Sequence, residues 1–189
     1  MRKRSIYTTL RGTAKPGSGL VVIVRGPIGS GKSTLLRGLE GRPPWRFWYL
    51  DIDAQSGHPA DPFGKYQRRE TPVEIDILGL HAKLVLGRGL NLALDQNFQT
   101  TVQVDRFLRT IGRSRRDPRV VMFRLDVDTE EAVRRKTTLR PSYVRASHRG
   151  FHLYPISGEL VVETTGLTSR EVLKSVRSAL NDRVGDRAG

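Results

Sequence analysis

No cysteine occurs anywhere in the chain. Disulfide cross-links, thiolate nucleophiles and cysteine-held zinc are thereby excluded, and the sequence suits a reducing compartment. Long apolar runs are missing too. The longest, Leu20–Val24, falls far short of the roughly 20 residues that a membrane-crossing helix needs, so no membrane partner is expected. The N-terminal stretch MRKRSIYTTLRGTAKPGSG is basic but lacks the apolar middle of a secretory signal, which makes the cytoplasm the expected location. Histidines are few, and His58, His148 and His152 have no metal-ligand spacing, so they form no metal site of their own. Acids are scarce, 19 Asp and Glu against 33 Lys and Arg, for a formal net charge of +14. Such a surface attracts polyanions, RNA or DNA among them. The excess is mostly arginine, and compositional bias explains it equally well.

The chain does have enough length, 189 residues, for one domain with a proper core. Its 37% hydrophobic and 28% charged content is that of a globular protein. One stretch organises the rest. Gly26 to Thr34 reads GPIGSGKST and fits G-x-x-x-x-G-K-[S/T] through Gly26, Gly31, Lys32 and Ser33. An apolar β-branched run precedes it and leucines at helical spacing follow, the strand-to-helix context that the motif requires. Glycines let the backbone approach a ligand closely. The N–H groups of Gly26, Pro27-Ile28-Gly29, Ser30 and Gly31, with a helix N-terminus behind them, make a nest for phosphate oxygens, Pro27 contributing shape rather than a donor. Lys32 is placed to bridge the β- and γ-phosphates of ATP, and the Ser33 hydroxyl to bind Mg²⁺ beside Thr34.

Taken in order, residues 1–19 form a basic arm without an acid, closed by Pro16, Gly17 and Gly19. A strand is expected over about 20–25 and a helix over about 32–40. The aromatic run Phe47–Leu50 predicts a second strand ending in Asp51 and Asp53. A Pro- and Gly-containing loop follows over 54–71, and a helix over 73–86 after a proline at its first turn. Leu90–Asp95 is a third strand. A helix over 99–114 is expected to carry Val102, Phe107, Leu108 and Ile111 on one side and Arg106, Arg109, Arg113, Arg115 and Arg116 on the other. RVVMFRLD, 119–126, is a fourth strand. Asp128–Glu131 opens a helix to about Leu139, Leu160–Thr164 is a fifth strand, and Thr168–Glu171 opens a last helix to about Arg183. The core domain is thus expected over 20–184, with a polar tail over 185–189. Five alternations of strand and helix predict an α/β fold, a five-stranded parallel sheet sandwiched by helices. Ligands then bind at the carboxyl ends of the strands, the edge that gathers Asp51, Asp53, Asp95 and Thr164.

Asp95 ends a mostly apolar strand, which suits an acid holding Mg²⁺ near Ser33. Asp126 competes by pattern, but the adjacent capping Asp128 gives that pair a structural role. Asp53 is the favoured general base for a proton leaving an attacking hydroxyl, with Asp51 the alternative. From Ala132 to Gly158 there is no acid. Arg134, Arg135 and Arg140 in this stretch suit the charge that builds on a transferred phosphoryl group.

These residues together resemble the small P-loop kinases: GPIGSGKST, the Asp-x-Asp after the second strand, LGRGLNLALDQNF around Asp95, Arg134-Arg135 and Arg140, and ETTGLTSREV before the last helix. The likeness spans about residues 20–182 and is nearest to polynucleotide kinases, zeta-toxin-like kinases and antibiotic phosphotransferases. It implies a P-loop NTPase fold of nucleoside-kinase type with an arginine-rich lid over about 132–158. It also implies Asp53 as the acceptor-activating base, Asp95 near Mg²⁺, Arg134, Arg135 and Arg140 on the phosphates, and the loop carrying Thr165 near adenine. The activity implied is transfer of the γ-phosphate of ATP to an acceptor hydroxyl, either a polynucleotide 5′-hydroxyl (RNA or DNA) or a small molecule. An alternative is a nucleic-acid-binding NTPase that transfers only to water. Asp95 is followed by Gln96-Asn97-Phe98 instead of the small residues common there, which points to a different acceptor pocket. The guanine-reading Asn-Lys-x-Asp is absent.

Overall fold

Strands that are apolar at every position need cover on both faces, and the first strand shows why. In the computed structural model, which describes residues 19–40, 47–51, 72–152 and 154–185, all of Val21–Arg25 (β1) is buried. Val21 and Ile23 face one core and Val22 and Val24 the other, as the two-residue period of a strand demands. The other strands are Phe47–Asp51 (β2), Asn91–Asp95 (β3), Val120–Asp126 (β4) and Leu160–Glu163 (β5). The helices are Lys32–Leu39 (α1), Pro72–Gly87 (α2), Thr101–Thr110 (α3), Thr129–Arg135 (α4), Pro141–His152 (α5) and Ser169–Gly185 (α6). The sheet order is β2-β3-β1-β4-β5 and every pairing is parallel. The expected α/β fold with a five-stranded parallel sheet is therefore present.

On one face Ile75, Leu78, Ala82 and Leu86 of α2 and Val104, Phe107 and Leu108 of α3 pack on Val21, Ile23, Leu92 and Leu94. On the other, Leu35, Leu36 and Leu39 of α1 and Val172, Val176 and Leu180 of α6 pack on Val22, Val24, Ala93 and Phe123. Fully burying one such side chain contributes about 1.5–3 kcal/mol before chain entropy is charged against it. Helix α2 is apolar on its outer face as well, with Val73, Ile77, Leu80 and Leu84 exposed.

Three expectations need correction. Val102 does not share the buried side of α3 and is 71% exposed. At roughly 100° per residue it lies about 140° from Phe107 and about 180° from Ile111. Arg113 does not sit on the solvent side: it is buried, and its guanidinium donates to Gly19 O at 2.8 Å and Asp117 Oδ2 at 3.0 Å. The helix expected through Leu139 ends at Arg135, and a further helix, α5, follows from Pro141. Helix α3 is shorter than the expected 99–114: Thr100 caps its start, and Gly112, at φ +71, turns the chain just beyond its end. Thr100 Oγ1 accepts from Gln103 N at 3.2 Å, while the Gln103 side chain accepts from Thr100 N at 3.1 Å. Thr100→Ala removes half of this reciprocal cap, and its expected cost is about 1 kcal/mol in a urea titration.

The arm over 1–18, the loop over 54–71, Asp53, His58 and residues 186–189 lie outside the described residues. Among the described residues no helix is long and apolar enough to cross a membrane.

Candidate functional site

Parallel register sets the floor of the site. Asp95 pairs with Val24 on one side and with Asp51 on the other, so β1, β2 and β3 end level. The loop from Gly26 leaves this edge and turns into α1. Gly29 has φ +84, and a Cβ there would stand 2.9 Å from the Ala132 Cβ of α4. Only glycine takes that backbone conformation cheaply, and only glycine leaves the room. Helix α1 starts at Gly31, which offers no side-chain cap, and no acid stands in its first turn. Its positive end is therefore directed at the loop without an internal carboxylate, a favourable place for an anion.

Lys32 Nζ donates to Gly26 O at 2.7 Å and to Pro27 O at 3.2 Å, so the ammonium lies across the loop. Ser33 Oγ donates to Asp95 Oδ2 at 3.1 Å. A cavity of about 710 Å³ lies above them, walled by the loop, Asp95, Arg135, Lys136 and Thr164. That size is within the range of small-molecule sites. Among the described residues no group of three or more His, Asp or Glu is gathered for a metal. Mg²⁺ does not need one: it takes one or two protein oxygens and fills the rest of its octahedron with waters and phosphate oxygens. Ser33 and Asp95 are hard oxygen donors beside a phosphate-sized nest, so the residues fit Mg²⁺. By contrast, Asp126 pairs with Arg124 at 3.0 Å beside β5 and is not in the cavity wall.

The basic segment divides. Arg135 reaches the loop: it donates to Gly29 O at 3.4 Å and Thr164 O at 2.7 Å and is ion-paired with Glu131. Arg134 and Arg140 are exposed and do not line the cavity. Arg145 is bonded bidentately to Glu130 at 2.8 and 2.7 Å, and the hydrogen bond from Arg145 holds the Glu130 carboxyl below the usual range. The acid-free run is thus partly neutralised by the acids immediately before it. Thr164 Oγ1 donates to Asp126 O at 2.9 Å. Thr165 Oγ1 accepts from Asp128 N at 2.8 Å and also binds Glu163. That bond from Thr165, with the backbone N–H groups of Thr165 and Thr164, holds the Glu163 carboxyl below its ordinary value.

Several contacts on the loop were not expected from sequence. Asn97 Oδ1 accepts from Gly26 N at 2.9 Å. Helix α5 grips the Ile28 peptide from both sides, Ser147 Oγ standing 3.4 Å from its N–H and His148 Nε2 standing 2.9 Å from its carbonyl oxygen. The carbonyl can only accept, so Nε2 carries the proton, and Nδ1 then accepts from Thr129 Oγ1 at 3.3 Å. A legible signal existed: Val144, His148 and Phe151 recur at helical spacing behind a proline suited to a first turn. Arg25, the last residue of β1, is buried and ion-paired with Glu159. It also donates to Tyr154 O at 2.9 Å and stands 5.2 Å from the Phe151 ring centroid.

No family model matches the sequence, and neither does any curated protein. Solved structures do match in fold. A sugar kinase from Janibacter sp. superposes with a TM-score of 0.61 at 16% identity, covering 90% of this chain and 99% of that one. The Deinococcus radiodurans tunicamycin resistance protein gives 0.61 at 16% identity, covering 86% and 95%. Shikimate kinase from Acinetobacter baumannii, in complex with shikimate, gives 0.58 at 16% identity, covering 92% and 97%. A five-stranded parallel sheet, a glycine-rich loop at the centre of its carboxyl edge and this set of likenesses agree: the chain has the fold of the small P-loop kinases.

Proposed function

We propose that the chain is an ATP-dependent phosphotransferase that moves the γ-phosphoryl group of ATP to an acceptor hydroxyl. One observation carries this reading. The Ser33 hydroxyl and the Asp95 carboxylate stand 3.1 Å apart at the uncapped start of α1, in the same cavity as Lys32. A hydroxyl, a carboxylate and an ammonium around one phosphate nest are the parts that phosphoryl transfer needs. The kinases that share the fold are in accord with it.

In this reading the backbone N–H groups at the start of α1, from Gly31 to Thr34, hold the phosphates, and Lys32 turns from the loop carbonyls to the β- and γ-oxygens. Ser33 and Asp95 hold Mg²⁺, which supplies neutralising charge on the phosphate oxygens when bound. Arg135 adds charge from α4; Arg134 and Arg140 stand outside the cavity wall and receive no role on this geometry. Thr165 is assigned to the adenine side, although it is not in the cavity wall. Asp53 takes the proton of the acceptor hydroxyl. The bond from the γ-phosphorus to the β-bridging oxygen breaks, ADP leaves, and the acceptor oxygen bonds the γ-phosphorus.

Asp53 lies two residues beyond Asp51 in the sequence, and Asp51, the register partner of Asp95, ends its strand at the carboxyl edge of the sheet. Asp53→Asn is expected to lower transfer of label from γ-labelled ATP by about 10²–10⁴-fold, the usual worth of a general base, with ATP binding intact. Full transfer activity in that variant rules Asp53 out as the base. The second reading, a nucleic-acid-binding NTPase, draws on the net charge of +14. It predicts label reaching only water and retention on single-stranded RNA or DNA that falls steeply with salt. The same retention assay, with label on the 5′-hydroxyl, tests a polynucleotide acceptor.

A further inference from the structure

A second, smaller cavity of about 190 Å³ adjoins the larger one and shares Ile28, Asn97 and Tyr143 with it as walls. It lies between the loop, the turn after β3 and the inner face of α5. We propose that it is the acceptor pocket of the phosphotransferase and that it takes an uncharged, single-ring alcohol such as a cyclic polyol. The inference rests on the phosphotransferase reading and adds the substrate class to it.

Size is the first argument. A cavity of about 150 Å³ holds one benzene ring, so about 190 Å³ admits one six-membered ring with its substituents.

Charge is the second. Among the described residues the sole ionic side chain in the wall is Arg25, and Glu159 already neutralises it. A carboxylate or phosphate brought into this space meets no uncommitted cation among the described wall residues. A buried charge without a counter-charge is strongly disfavoured.

Lining chemistry is the third. Phe151, Tyr143 and Tyr154 supply flat apolar surfaces, against which the C–H faces of a ring pack. Neutral hydrogen-bonding groups stand between them. Asn97 uses its Oδ1 on Gly26 N, and its amide N–H groups find no acceptor among the described residues. The Gln99 side-chain amide likewise has no partner there. Hydroxyls both donate and accept, so they suit such amides. A few placed polar groups in an otherwise apolar wall is the usual make-up of a small-molecule pocket. Pro27 and Ile28 line the pocket, so a hydroxyl on its occupant can stand beside the phosphate loop.

The test uses the full chain with Mg²⁺ and γ-labelled ATP. Neutral cyclic polyols (hexoses, pentoses, inositols) are compared with shikimate, AMP and a 5′-hydroxyl oligonucleotide. The expected result is label on at least one neutral ring alcohol, with kcat/KM at least tenfold above every charged probe. Ala146→Leu, which fills the wall from α5, is expected to raise the KM for that alcohol about tenfold. Gln99→Ala, on the opposite wall, is the second variant and is expected to raise it several-fold. Preference for a charged probe, or no label on any neutral ring alcohol, overturns the inference, as does an unchanged KM in both variants. Label that reaches a charged acceptor leaves the phosphotransferase reading standing, whereas label that reaches only water defeats that reading itself.

Discussion

Lys32→Met abolishes most phosphoryl transfer, with an expected loss of about 10²–10³-fold in kcat, the scale of removing one preorganised donor from a developing charge. The ammonium already lies across the loop. It donates to two carbonyl oxygens of its own loop at 2.7 and 3.2 Å. Those bonds hold the cation over the nest before any ligand arrives. Phosphate oxygens are stronger acceptors than peptide carbonyls for a charged donor, so the ammonium exchanges partners over a short distance. Methionine keeps the length and flexibility of the side chain and loses the charge. Steady-state transfer from γ-labelled ATP measures the effect, and circular dichroism checks that the fold survives. A variant within about threefold of the parent would remove Lys32 from the transfer step.

The largest effect on stability is expected from Arg25→Met. Arg25 is 1% exposed and its partner Glu159 3% exposed. Glu159 Oε2 also accepts from Ile156 N at 3.1 Å, so the carboxylate is fixed inside the return from α5 to β5. Removing one member of such a pair leaves an uncompensated buried charge, and the expected cost is about 3–5 kcal/mol. That is a large share of the roughly 5–15 kcal/mol by which a domain is stable. The double change Arg25→Met with Glu159→Leu removes both charges and is expected to recover most of the loss. Urea titrations of the parent and both variants measure this. A single variant within about 1 kcal/mol of the parent, or a double variant no better than Arg25→Met, contradicts the account.

The strands were legible because fully covered parallel strands are apolar throughout. Leu20–Val24, Leu90–Leu94 and RVVMFRLD announce themselves, and the loop motif fixes which of them is central. Asp95 was legible for the same reason, as an acid ending an apolar strand. Where charge was read before periodicity, the reading failed. The arginines of the run 132–158 mask the buried line of Val144 and His148 that makes α5 a packed helix. Arg113 shows the same weakness. A guanidinium is expected in solvent, yet one that finds a carbonyl and a carboxylate within 3.0 Å can be enclosed. Val102 is apolar, but its angle on the helix sets it away from Phe107 and Ile111, so it is exposed. Asn97, Ser147 and His148 carry no sequence signature of what they do, because their hydrogen bonds are made with the backbone of a loop more than 70 residues away.

That last separation has a consequence for how the loop is owned by the chain. Gly26 to Thr34 contains every residue of the phosphate motif, but its peptides are held from outside: Gly26 by Asn97, Ile28 by Ser147 and His148, Gly29 by Arg135. A fragment that stopped after β4 would keep the motif intact in sequence and lose the supports on Ile28 and Gly29. The motif is therefore not a portable part. Its shape is assembled late, from the half of the protein that a pattern search never reads, and a graft of these nine residues into another strand-to-helix turn would carry over the letters without the fold of the loop.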